Sequence, residues 1–422
     1  FDLFIIFIYL YIMSLKLFKY FICEFLILVS LISCVHESHI EFDTGIDTKN
    51  KPINYLNKDK ISNGTVSFSS NFLGSRLSEV TYLNDSVASV FFTPENEPIN
   101  SSPYFAFEAS SILPKAFYFI FKYPEAYSHR YIPKIKKQGV WNISDSLTYI
   151  ITGEEHKLRI LLDQTPVTIA AQKIESSVDV KEWIYALSKA NPTLFHRAIA
   201  GKSKLGKNIE VLDLYKGSPL KKEIIVLLTR QHPPEISGYY AFQTFLSQLT
   251  KINSLNKEFF EKYRIIAFPL INPDGVDLGH WRHNAGGVDL NRDWSLYRQP
   301  EVKAVVNYIN KEVKKSKGKV VIGLDFHSTW NDVFYTNTSR EKTTYPNFEK
   351  DWFEALESKI PNYKVNEKAS DSKTPTSKGW FLKAHNATGI TFEIGDETPI
   401  ESINLIASSA AIELAQLLIN YN

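Results

Sequence analysis

The segment EIIVLLTRQHPPEISGYYAFQTFLSQL, residues 223–249, decides how the rest of the chain is read. It opens on an apolar, β-branched run of strand length. It closes on ISGYYAFQTFLSQL, whose apolar residues recur at three- and four-residue spacing, the mark of a helix. At the joint, His232 and Glu235 stand three apart around two prolines. A strand that runs through a short polar loop into a helix is the unit of a parallel α/β sheet. In such sheets, sites form beyond the carboxyl ends of the strands.

Downstream, strand-like runs (YRIIAFPLI, KVVIGLDFHS, GITFEIG) alternate with helical ones (PEVKAVVNYINKEV, NFEKDWFEALESKI, SINLIASSAAIELAQLLINY). Residues 176–422 are therefore expected to form an α/β catalytic domain with a mostly parallel mixed sheet flanked by helices. Upstream, residues 63–175 carry short β runs such as TVSFSS, SVASVFFTP and AFYFIFKY, separated by turn signals and without long helical patterns. This half reads as an all-β, sandwich-like domain with no acid/base pair or ligand cluster. Residues 34–62 are polar and aperiodic and read as a tether.

The only methionine is Met13, so residues 1–12 read as upstream translation. From Met13, two lysines precede an apolar run that ends in Leu31-Ile32-Ser33-Cys34, and residues 13–33 read as a signal peptide. The last four residues resemble the lipobox of bacterial lipoproteins, which implies acylation of Cys34. A plain signal peptide or a signal anchor is the other reading, and Glu24 departs from an apolar core on either. The expectation is an exported protein, lipid-anchored to a bacterial membrane on its periplasmic or outer side. The other cysteine, Cys23, falls in the leader, so a hydrophobic core rather than disulfides must hold the mature chain. A net charge of +2 gives no electrostatic reason to expect nucleic acid.

His327 follows a second apolar strand, VVIGLDF. With His232 and Glu235 it completes a two-histidine, one-glutamate set of the kind that binds zinc and leaves a position for water. His-x-x-Glu alone also fits a hydrogen-bonded loop histidine; two strand ends pointing the same way favour the metal reading.

Six short motifs follow in order across residues 230–396: RQHPPE, NPDG, WR, DLNRDW, DFHS and TFEIGD. Together they closely resemble the zinc metallocarboxypeptidases, the carboxypeptidase A-like or funnelin family, nearest the cytosolic carboxypeptidase branch and its bacterial relatives. The resemblance covers residues 178–422. It implies that His232, Glu235 and His327 hold one zinc ion per chain, and that Asp289 orients the first histidine. It implies that Arg282 polarises the scissile carbonyl, that Asn291 and Arg292 bind the terminal carboxylate, and that Glu393 is the general base. The chemistry calls for these types. Zinc makes water acidic enough to attack at neutral pH, a carboxylate relays its proton, and a guanidinium matches a carboxylate through two parallel bonds. That branch also carries a β-sandwich ahead of its catalytic domain.

Two departures stand out. The family's catalytic-loop tyrosine has no counterpart in NEKASDSKTPTSKGW, and the nearest upstream is Tyr363. Pro234 occupies the place of a substrate-binding arginine of the pancreatic-type enzymes. In the family pattern, the base of the side-chain pocket lies fifteen residues before the general base, which gives Lys378, followed by Trp380. A lysine there implies a preference for acidic C-terminal residues; it reads equally as a solvated loop lysine. NPDG reads as a turn. His280 and His283 read as loop residues, and His129, His156, His196 and His385 as surface or core histidines. The expected activity is removal of the C-terminal residue from peptides or proteins. Its rivals are a murein-peptide hydrolase or amidase on the same fold, and an inactive module that binds peptide ends.

Overall fold

The computed structural model describes residues 39–251 and 253–421. The expected leader (residues 13–33), the residues before it and Cys34 lie outside them.

Two sheets make up the first half. One has six strands in the order β1 (Ile61–Ser62), β2 (Val66–Ser69), β5 (Ala106–Ser111), β11 (Val167–Ala170), β7 (Lys134–Lys137), β8 (Val140–Ile143). The other has five, in the order β3 (Glu79–Asn84), β4 (Val87–Phe91), β6 (Lys115–Lys122), β10 (Glu155–Leu162), β9 (Tyr149–Thr152). Inward-facing residues from both share one core: Phe68 and Phe107 of the first sheet meet Phe119 of the second at 5.8 and 5.5 Å between ring centres. Each such ring, fully buried, contributes roughly 1.5–3 kcal/mol. Strand β10 is absent from the sequence reading because EHKLRILL looks charged; in place, Leu158, Ile160 and Leu162 face inward and Arg159 faces water.

The second half is built on an eight-stranded sheet, ordered β12 (Phe195–Lys202), β13 (Asn208–Leu214), β15 (Tyr263–Phe268), β14 (Glu223–Thr229), β16 (Lys319–Thr329), β19 (Thr388–Gly395), β17 (Val333–Asn337), β18 (Glu367–Ser370). The four central strands, β15-β14-β16-β19, run parallel. The edges mix directions. Helices cover both faces. On one lie α1 (Ser177–Ala190), α2 (Ile236–Leu249), α3 (Ser254–Lys262), α6 (Phe348–Lys359) and α8 (Ile400–Asn420). Opposite them lie α5 (Pro300–Ser316) and α7 (Ser377–His385). Strand β14 shows why its sequence is continuously apolar: Ile225 and Leu227 enter the first layer, Ile224, Val226 and Leu228 the second.

Two expectations are corrected. Residues 40–62 are not a free tether. Ile40 and Phe42 pack on the α5–α7 side, and Thr48 is 1% exposed and donates to Asp293 Oδ1 at 2.5 Å. Farther along, Lys51 N donates to Gly286 O, Lys58 Nζ reaches Ser75 Oγ, and Ile61–Ser62 joins a sheet. The segment is polar because its backbone and side chains spend their hydrogen bonds on the domain surface, which composition does not reveal. NPDG is also more than a turn. Asn272 accepts from Gly275 N at 2.9 Å and caps the short helix α4 (Pro273–Leu278), with proline where its missing N–H costs nothing.

Candidate metal centre and active-site cleft

The cleft lies at the carboxyl ends of β14, β16 and β19, and its volume is about 430 Å³. After β14 the chain turns sharply at Arg230, whose φ is +57°. Arg230 is buried and ties the turn by donating to Pro233 O (3.0 Å) and Glu175 O (3.2 Å). Gln231 donates to Asp325 Oδ2 at 2.5 Å and accepts from Trp294 Nε1 at 3.0 Å. The loop is thus held on both sides of His232. Glu235 stands at the N-cap of α2 but makes no cap bond, because its carboxylate turns to the histidines instead.

The ligating atoms of His232, Glu235 and His327 lie within 4.8 Å of one another, all buried. Glu235 Oε1 is 2.8 Å from His232 Nδ1, and Oε2 is 2.7 Å from His327 Nδ1. The two Nδ1 atoms are 3.1 Å apart. The far ring nitrogens are already taken, His232 Nε2 by Asp289 Oδ1 (2.9 Å) and His327 Nε2 by Asp325 Oδ2 (2.8 Å). Donating there leaves each neutral ring with a lone pair on Nδ1, aimed at the other lone pair and at a carboxylate. A cation reconciles three such donors. Two imidazoles and one carboxylate, each imidazole backed by an acid, suit zinc. The proton affinities show how strongly the pocket draws positive charge, which a proton on His327 or a metal ion could supply. Burial disfavours a charge on His327, yet Asp325 and Glu235 raise its pKa well above the imidazole range. Burial opposes ionisation of Glu235, but the two histidines drive its pKa far below the carboxylate range.

Glu393 pairs in register with His327 across β16 and β19 and lines the cleft. Its Oε2 is buried without a hydrogen-bond partner. Burial pushes its pKa up to about 8, with His327 opposing; a cation at the histidines pulls it down. Arg282 lines the cleft and donates from Nε to Asp289 Oδ2 at 2.7 Å, so one carboxylate orients both His232 and Arg282. Asn291 and Arg292 also line the cleft. Asn291 Oδ1 accepts from Ser377 N at 2.9 Å, and Nδ2 lies 3.5 Å from His327 Nε2. Arg292 donates to Asn291 O at 2.8 Å.

Lys378 is not a solvated loop lysine: it is 6% exposed, in the first turn of α7. Its Nζ donates to Thr336 O (2.6 Å) and Ser370 Oγ (3.0 Å), and it lines the cleft. Burial lowers its pKa to about 8. Tyr363 packs against the core instead of the cleft. The tyrosine that does line the cleft is Tyr335 on β17, the strand beside Glu393. His280 and His283 do lie in a loop, but buried; His129 and His156, both half-buried, stack at 4.3 Å in the sheet-rich half.

Arg130 and Ser102, from the first half of the chain, also line the cleft. Arg130 pairs with Asp396 at 2.8 Å and lies 5.2 Å from the ring of Trp330, which is 63% exposed. No spacing signal marks Arg130, because its partner stands 266 residues away.

A buried His–Glu–His set with acid-backed imidazoles, at the carboxyl edge of a mixed α/β sheet, is a donor set suited to a metal ion. The family model for zinc carboxypeptidases matches residues 180–409, more than half of the chain, and the chain belongs to that family. Cytosolic carboxypeptidase 6 of Caenorhabditis elegans is 26% identical over 155 residues, 35% of this chain and 33% of that protein. The match thus spans about a third of that relative's length. Among solved structures, a metallo-carboxypeptidase from Burkholderia cenocepacia superposes with a TM-score of 0.69 at 16% identity, covering 84% of this chain and 98% of that one. One from Pseudomonas aeruginosa gives 0.66 at 17% identity, with 83% and 98% covered. At these identities the likeness is one of fold, and it extends over the sheet-rich half.

Proposed function

We propose that the chain is a zinc-dependent carboxypeptidase that hydrolyses the C-terminal peptide bond. The observation that carries this is the convergence of two acid-backed histidine Nδ1 atoms on Glu235, with the orphaned Glu393 carboxylate on the neighbouring strand. His232, Glu235 and His327 would hold the zinc, which when bound would supply an acidified water and a Lewis acid for the carbonyl. Glu393 takes the proton from the attacking water and delivers it to the leaving amine. Arg282 offers N–H donors to the oxygen on which negative charge develops. Asn291 and Arg292 receive the terminal carboxylate, which restricts cleavage to chain ends.

Lys378 supports a preference for acidic terminal side chains. Its Nζ donates to Thr336 O and Ser370 Oγ, with Ser370 O at 3.5 Å, which fixes the ammonium in the cleft wall. At the other end of the chain, acylation of Cys34 would tether the enzyme to a membrane. Incorporation of labelled fatty acid that persists in Cys34→Ser would refute that anchor.

The test uses peptides ending in Glu, Lys, Phe or Ala, with zinc measured on the same sample. About one zinc per chain and release of single residues is expected, fastest from Glu. Glu393→Gln is expected to keep its zinc and lose about 10²- to 10⁴-fold in kcat. Lys378→Met is expected to erase the preference for Glu. Zinc without release would favour a muropeptide substrate; absence of zinc would refute the assignment.

A further inference from the structure

The sheet-rich half does more than cover the cleft. Arg282 sits on a loop between α4 and the Asp289 turn, and its neighbours on that loop are fastened to the sandwich. The ring of Trp281 is 0% exposed and belongs to the sandwich core, edge-on to Tyr127 at 5.2 Å and Tyr123 at 6.2 Å. The Glu95 carboxylate, also 0% exposed, comes from the segment after β4. It accepts three consecutive backbone N–H bonds, from Trp281 (2.8 Å), Arg282 (3.0 Å) and His283 (2.6 Å). Asn96 extends the grip: its Oδ1 meets His283 Nδ1 at 2.7 Å, and its Nδ2 donates to Gly287 O at 3.0 Å.

We propose that Glu95 is a positioning residue for Arg282, so that the N-terminal sandwich sets the place of the guanidinium in the cleft. This rests on the carboxypeptidase reading for what Arg282 does. The geometry favours it over a merely structural bond. Trp281 and Arg282 project to opposite sides, one into the sandwich and one into the cleft, so the peptide between them is the pivot. At its far end Arg282 is held by Asp289; at the pivot it is held by Glu95. Three donors on one carboxylate fix the orientation as well as the position of that peptide. A shift of about 1 Å in such a group costs on the order of a hundredfold in rate.

The test is Glu95→Gln in the full chain, with Phe117→Leu as a control that weakens the sandwich core away from the loop. Glutamine keeps the volume but turns an amide N–H₂ toward N–H donors. Expected are a fall in kcat of about tenfold or more, KM within about threefold, and unchanged zinc content. Hydrogen exchange should accelerate in the peptide spanning 280–288 and not in the one spanning 223–235. Phe117→Leu should lower Tm and leave kcat of the folded protein unchanged. If Glu95→Gln does not fold, Asn96→Ala reads the same grip, with a smaller loss in the same direction. Unchanged exchange over 280–288 would overturn the proposal. So would a kcat loss no larger than that of Phe117→Leu at equal folded fraction. An inert wild type would sink the carboxypeptidase reading instead, while the exchange measurement would still decide whether Glu95 holds the loop.

Discussion

Asp289→Asn tests the centre with the least steric disturbance, because the two side chains have nearly the same shape. Asp289 accepts three bonds: Oδ1 from His232 Nε2 (2.9 Å) and Asn291 N (2.9 Å), Oδ2 from Arg282 Nε (2.7 Å). It is 12% exposed, and although burial opposes its ionisation, Arg282 and His232 hold its pKa well below the carboxylate range, so it is charged at neutral pH. Asparagine has one acceptor oxygen. In the better orientation it keeps His232 and Asn291 and points its N–H₂ at Arg282; flipped, it loses His232 and Asn291 instead. At least one bond to a charged group is lost either way, worth about 1.5–3 kcal/mol, which is about 10- to 150-fold. Loss of the negative charge also makes His232 a poorer ligand, with a cost of about 10- to 100-fold in metal affinity. The assay is kcat/KM measured across a series of buffered free-zinc concentrations. The activity midpoint should move to higher zinc, and saturating zinc should leave a residual deficit that belongs to Arg282. If both the midpoint and the saturated kcat/KM stay within about threefold of wild type, the shared-carboxylate reasoning is refuted.

Gly238→Ala should destabilise the protein although alanine is the better helix former by about 0.8–1 kcal/mol. A Cβ at Gly238 would lie 2.2 Å from the backbone oxygen of His327, and backbone yields poorly, so overpacking of about 1–3 kcal/mol prevails. Denaturant midpoint and zinc content should fall together, and a more stable variant would contradict this. His385 is expected to make the fold acid-sensitive. Burial lowers its pKa to about 4, and a depressed histidine adds stability above the unfolded value near 6.5 that is lost as pH falls toward 4. Between pH 7 and pH 5 the loss is about 2 kcal/mol by linkage. His385→Asn should show a flatter urea midpoint over that range; an equal slope would exclude His385 as the cause.

Strand β14 was legible because both of its faces are covered, and the meeting of His232, Glu235 and His327 was legible because they stand at fixed offsets from apolar strands. Spacing carries such information only where chain neighbours meet. Tyr335 reaches the cleft because β17 pairs antiparallel with β19, a pairing the sequence does not announce. Counting along the chain from Glu393 reaches Tyr363 instead, which packs elsewhere. Residues 40–51 were unreadable for a related reason. Their partners, Asp293, Gln299 and Gly286, lie far along the chain, and a strap held by backbone bonds has the composition of a linker.

The same blindness hid the role of the sandwich, whose own sequence offers no catalytic pattern. Its contribution lies at the seam, where its charged residues meet both sides of the cleft. Glu95 holds the loop of Arg282. Arg130 and Lys134 pair with Asp396 and Glu397, just past Glu393. Burial pushes the Asp396 carboxyl up to about 6 even beside Arg130, so this charge is expensive to keep. A seam built for stability alone would be apolar, since buried ion pairs seldom outdo packed hydrophobic residues. Ion pairs and hydrogen bonds have direction, which apolar packing lacks. They fix the chain on either side of the two groups, Arg282 and Glu393, whose placement the proposed chemistry depends on most. The sequence-silent half is then a template for the active half, and perturbing its charged seam should cost rate before it costs stability.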